Sequence, residues 1–121
     1  MITEFGKALR KLRIDADHRA HHMAEALDIT TGFISHVERG HKAAPLGLED
    51  RIVDAYKLGP AAAEKLCSLA DRTRRSFKLT PESPLGREVA GLMRRHLDSL
   101  SDDELLEIIS IVTERQTKEI T

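Results

Sequence analysis

The stretch HRAHH at residues 18–22 sets three histidines within five positions. On a helix, His18 and His22 share one face, the i, i+4 spacing at which two imidazoles can grip a transition metal. A grip of that kind needs further donors. The chain has one cysteine, Cys67, and only His41 or a second subunit offers a third ligand. Solvated or phosphate-facing histidines account for the run more simply, so neither a metal nor any other cofactor is expected. Ser35 and His36 make a second suggestive pair, but adjacent residues on a helix point in different directions and form no triad. There is no phosphate-cradling glycine loop, no zinc-deaminase His-Glu with paired cysteines, and no nucleophile elbow. The chain is not expected to be an enzyme.

Binding is the remaining chemistry, and its clearest trace is DITTGFISHVERG, residues 28–40. Glycine in a helix interior costs roughly 1 kcal/mol relative to alanine, yet Gly32 stands near the start of a very short helix. The apolar residues Met23, Ala24, Leu27, Ile29, Ile34 and Val37 suit a buried side. Thr31, Gly32, Ser35, His36 and part of Phe33 are then turned outward. An α-helix fits the major groove of B-DNA and reaches base edges with its first residues. Small side chains permit that approach, so stability is traded for proximity to a ligand.

Composition indicates what holds this helix in place. The 121 residues are 40% hydrophobic, with no Trp, one Tyr and three Phe, and the preferred residues favour helix over strand. An all-α protein is expected. No apolar run approaches the roughly 20 residues needed to span a bilayer. The opening MITEFGKALRKLR alternates charged with apolar residues and does not read as a signal peptide. A lone cysteine excludes an intrachain disulfide and suits a reducing, cytoplasmic setting. The net charge of −1 hides a basic middle and an acidic end. Residues 60–96 carry eight Lys/Arg against four Asp/Glu, and residues 97–121 two against seven. One basic face is enough for a polyanion, so near-neutrality does not argue against nucleic acid.

Periodicity predicts seven helices. The first covers residues 3–13, capped by Thr3, with Phe5, Leu9, Leu12 and Ile14 apolar. The second and third cover 19–26 and 31–38, Thr30 capping the third and Gly40 stopping it. The fourth, 46–58, turns Leu48, Ile52, Ala55 and Tyr56 inward. The fifth, 60–76, opens at Pro60 and buries Ala62, Leu66, Leu69 and Ala70. Cys67 beside this stripe reads as packing, and Arg72, Arg74, Arg75 and Lys78 as a complement to the helix C-terminal dipole. KLTPESPLG, residues 78–86, is the linker. A sixth helix, 84–98, includes a partly buried structural His96. A seventh runs to about 117, and Ser101 and Glu104 write its start as a capping box.

Residues 5–58 resemble the Cro/C1-type (Xre family) helix-turn-helix domain. The likeness lies in FGKALRKLR, in MAEALDITTGFISHVERG, and in Pro45 followed by an amphipathic helix. The distance from Met23-Ala24 to Glu38-Arg39-Gly40 makes it specific. Family domains have five helices, so the resemblance extends over about residues 1–76. It implies a lambda-repressor-like domain at 1–78 and a regulator that binds operators as a dimer. Position by position, base reading falls on Thr31, Gly32 and His36, with Phe33 and Ser35 beside them. Thr30 and the loop residues His41 and Lys42 fall where members touch the DNA backbone. The glutamine that usually opens the second helix is Ala20 here, leaving Arg19, His21 and His22 to supply the missing phosphate contact. Glu38 and Arg39 take structural roles, pairing with the first helix.

Beyond the linker, residues 79–121 form a two-helix hairpin too small to bury its own apolar side. Leu92, Met93, Leu97, Leu105, Ile109 and Val112 are expected to make a homodimer interface. The reading is a homodimeric repressor on palindromic double-stranded operators, with residues 30–38 as recognition helix. The alternative is an antitoxin that regulates its own operon and holds a toxin protein through the same C-terminal helices.

Overall fold

The computed structural model describes the backbone of residues 2–120 and the side chains of residues 2–114, and no strand occurs among the described residues. Seven helices follow in order: α1 (Glu4–Asp15), α2 (Ala20–Leu27), α3 (Thr31–Glu38), α4 (Leu48–Tyr56), α5 (Pro60–Asp71), α6 (Pro84–His96) and α7 (Asp102–Ile120). A 3-10 turn at Leu97–Ser99 follows α6. The chain divides into two units, Met1–Phe77 and Lys78–Thr121. No helix of the described residues is long and apolar enough to cross a membrane.

Local chemistry explains most helix ends of the first unit. The Thr3 hydroxyl accepts the Gly6 amide at 2.9 Å, satisfying an orphan donor at the start of α1. Thr30 does the same for α3, accepting the Phe33 amide at 3.1 Å. Asp28, at φ 56° and ψ 46°, turns the chain sharply out of α2, so that α3 begins three residues later. Arg51 from α4 donates to the Leu27 carbonyl at 3.2 Å and caps the spent end of α2. Gly47, at φ 86°, supplies the left-handed residue ahead of α4.

The core of this unit draws on every helix. Phe5 and Leu9 of α1 meet Met23, Ala24 and Leu27 of α2 and Ile34 and Val37 of α3. Ala44, Leu48, Ile52, Leu66 and Ala70 close it from the other side. Each large aliphatic side chain buried this way stabilises the fold by about 1.5–3 kcal/mol relative to exposure. Gly6 is buried where α1 meets α3, and a Cβ added to it would overlap the Glu38 carbonyl. Over that contact Glu38 turns its carboxylate back to α1, with side chain 4% exposed. It accepts from Arg13 Nε at 2.9 Å and from Arg10 Nε at 3.2 Å. Glu38 thus pairs with the first helix, whereas Arg39, the C-cap of α3, is exposed.

Several expectations fail here. Ile14 is 65% exposed, and Ala55 and Ala62 also face solvent. In α4 the partly buried Val53 packs on the core in place of Ala55. Helix α4 starts only after Gly47, which cannot continue a right-handed turn at its positive φ. Helix α5 stops at Asp71, well short of residue 76, because Thr73 and Arg74 are drawn to partners elsewhere.

The second unit has good helix starts, but none of its described side chains is buried. Ser83 accepts the Gly86 amide at 2.9 Å, with Pro84 at the first helical position. Ser101 accepts the Glu104 amide at 3.2 Å while Glu104 accepts the Ser101 amide at 3.0 Å, the reciprocal box expected. The Ser101 amide, and after it the Ser101 hydroxyl, holds the Glu104 carboxyl below its ordinary pKa. Yet no residue of α6 or of the following turn is buried. Leu85, Val89, Leu92, Leu97, Leu106, Ile109, Ile111 and Val112 are exposed. His96 is exposed too, correcting its expected partly buried role.

Candidate nucleic-acid interface

The turn between α2 and α3 determines what α3 can present. The Ile29 amide donates to the Ala24 carbonyl at 3.0 Å, locking the link that follows the left-handed Asp28. Ile34, Val37 and Glu38 are then buried, so the opposite side of α3 faces solvent. Thr31, Gly32 and His36 are exposed on it, and Phe33 and Ser35 are half-buried beside them. An added Cβ at Gly32 would meet nothing within 4 Å. Internal packing therefore does not require this glycine, in direct contrast to Gly6.

The residues expected at the DNA backbone divide between the two ends of this surface. At the start of α2, Arg19 and His21 are exposed, and His22 Nδ1 accepts the Arg19 amide at 2.9 Å. That bond fixes the imidazole as the tautomer whose Nε2–H is the donor, available to an anion. Thr30 is exposed, and its hydroxyl accepts from Phe33 while keeping its own hydrogen to donate. Beyond α3, the His41 amide donates to the His36 carbonyl at 2.8 Å, and their rings lie 5.7 Å apart. Lys42 Nζ sits 5.7 Å from the Phe33 ring centroid. Arg19 before α2 and His41 and Lys42 after α3 are thus exposed donors suited to phosphate, whereas Thr31, Gly32 and Ser35 of α3 carry no charge.

The loop carrying His41 and Lys42 is clasped from behind by two residues that local pattern did not single out for this role. Thr73 Oγ1 accepts the Ala44 amide at 3.1 Å and donates to the Ala70 carbonyl at 2.7 Å. Arg74 donates to the Ala44 and Pro45 carbonyls, each at 2.9 Å, and to Glu49 at 2.7 Å and Asp71 at 3.0 Å. Burial works against its charge, but Glu49 and then Asp71 more than offset this and raise its pKa. Arg74 is therefore a bolt, not one of a solvated cluster at a helix end. Arg72, Arg75 and Lys78 remain exposed.

His18 turns toward α4. Its Nδ1 lies 3.1 Å from the Tyr56 hydroxyl, joining α4 to the segment before α2. Its ring is 5.5 Å from that of His22. No group of three or more His, Cys, Asp or Glu side chains placed to hold a metal occurs among the described residues. Burial first, then Glu49, Asp50, Glu64 and Asp71, raises the pKa of the Cys67 thiol, the opposite of an activated cysteine.

Residues 4–66 match a family model described as a helix-turn-helix domain. No curated protein and no solved structure matches the chain. The family match covers just over half of the 121 residues and contains α2, the turn and α3 whole. With the buried and exposed sides of α3 distributed as above, this chain belongs to the helix-turn-helix domain family.

Proposed function

We propose that the chain is a Cro/C1-type transcriptional regulator of the Xre family, a homodimer that represses by binding palindromic operators. Helix α3 enters the major groove, with Thr31, Gly32 and His36 at the base edges and Phe33 and Ser35 at their margin. Arg19, His21, His22, Thr30, His41 and Lys42 hold the flanking phosphates and set register. The carrying observation is Gly32, an exposed helical glycine that no neighbour in its own chain requires. Its weak helix propensity is explained by a backbone that must come close to another molecule. The reading involves binding alone, with no catalytic step and no cofactor, in the cytoplasm.

Selection from random duplex oligonucleotides should return a two-fold site with half-site centres about 34 Å apart, or a multiple of it. On that site His36→Ala should cost about 1–3 kcal/mol, and much less on random duplex. Equal losses on both would remove His36 from base reading. The uncovered apolar side chains of α6 and α7 also support a second reading, in which a toxin protein takes the place of the second copy. A stoichiometric small protein co-purifying with the full chain from its native cells would favour that reading.

A further inference from the structure

Beside the start of α3, Ile29, Thr30, Phe33 and Pro45 line a shallow notch of about 300 Å³. Two of its lining residues, Thr30 and Phe33, bracket in the chain Thr31 and Gly32, the exposed residues that the proposed function places in the major groove. The hydroxyl oxygen of Thr30 accepts the Phe33 amide, which orients this side chain at the notch. Phe33 itself rests partly on the core, which fixes one wall. The Pro45 carbonyl accepts from Arg74 Nη2 at 2.9 Å, which fixes the other. Lys42 Nζ lies 5.7 Å from the Phe33 ring centroid, so a cation stands next to the notch.

An apolar recess needs an apolar occupant, and the major groove of DNA offers one, the methyl group on C5 of a pyrimidine. We infer that this notch reads a 5-methylpyrimidine, the methyl seated between Phe33 and Pro45 while Lys42 holds a nearby phosphate. Thymine and 5-methylcytosine carry the same group at the same place in the groove. The recess therefore specifies a methylated C5 and leaves the rest of the base to Thr31 and His36. This inference rests on the DNA-binding reading above and adds to it the identity of one operator base.

The test uses the full chain and its selected duplex, with thymines replaced one at a time by deoxyuridine. At one position in each half-site, loss of the methyl should weaken binding about fourfold, the worth of one buried carbon. If cytosine is the selected base at that position, 5-methylation should strengthen binding by about the same factor. Phe33→Ala should abolish the discrimination and Pro45→Ala should reduce it. Pro45 is exposed, so its variant keeps the test decisive if Phe33→Ala fails to fold. Indifference of the wild-type protein to the methyl at every position would overturn the inference while leaving DNA binding standing. So would discrimination undiminished in the folded variants. Failure to bind any duplex would overturn both readings together.

Discussion

Two glycines show how one residue type serves opposite ends. Gly6 is buried and a methyl group there would run into the Glu38 main chain, so glycine permits α1 and α3 to touch. Gly32 lies in the open, on the solvent side of α3. Alanine should separate the two roles cleanly. Gly6→Ala should destabilise the domain by about 2 kcal/mol or more, since the obstacle is backbone and cannot rotate away. Gly32→Ala should stabilise it by about 0.5–1 kcal/mol, through helix propensity alone. The same Gly32→Ala protein should bind its operator about tenfold more weakly, because the new methyl stands where bases approach. Thermal melts and operator titrations of both variants check this. Unchanged affinity in a stabilised Gly32→Ala would place the glycine away from the DNA. The sequence pattern assigned Gly6, in the first turn of α1, no role. Its partner, the Glu38 carbonyl more than 30 residues away, was not readable from the sequence.

Helices were legible where a local rule writes them, and less so where a distant group interferes. The stretch from Thr30 to Glu38 could be read because its cap, its two buried aliphatics and its polar residues repeat with the helical period. The exposed positions Thr31, Gly32 and His36 follow from the same pattern, since Ile34 and Val37 fix the opposite side. The pattern failed for Ile14 and Ala55, apolar types at acceptable spacing that face solvent. It failed again at the end of α5, where Thr73 and Arg74 leave the helix for the α3–α4 loop about 30 residues away. That clasp gives the loop a defined shape, and hence His41 and Lys42 a defined place. Arg74 is 8% and Glu49 12% exposed at the side chain, so cutting this pair strands a buried charge. Arg74→Met should therefore cost about 3 kcal/mol in chemical denaturation. Hydrogen exchange at the Ala44 amide should rise with it, as the loop loses its anchor. A cost below about 1 kcal/mol would mean that the loop is held by the Thr73 bond and Leu48 packing alone.

Among the described residues, the first unit has a buried core and the second buries no side chain. Large aliphatic side chains are exposed along α6 (Leu85, Val89 and Leu92), the turn after it (Leu97) and α7 (Leu106, Ile109, Ile111 and Val112). In the proposed dimer, charge selects the pairing. Helix α6 carries Arg87, Arg94 and Arg95 against Glu88, whereas α7 opens with Asp102, Asp103, Glu104 and Glu107. A second copy that lays its α7 along α6 matches opposite charges at the rim while hiding the apolar sides of both. Two-fold symmetry then makes the same match twice. The full chain should therefore sediment as a dimer at micromolar concentration. Leu92→Asp combined with Ile109→Asp should yield monomers in which the first unit still unfolds cooperatively. Those monomers should occupy a single half-site and lose about 100-fold or more in affinity for the complete operator, because linkage supplies 10²–10⁴ of avidity without any new DNA contact. A wild-type chain that stays monomeric at high concentration, yet binds a two-fold operator cooperatively, would move the dimer contact from α6 and α7 to the DNA itself. In that case the uncovered side chains would belong to an interface with a different protein.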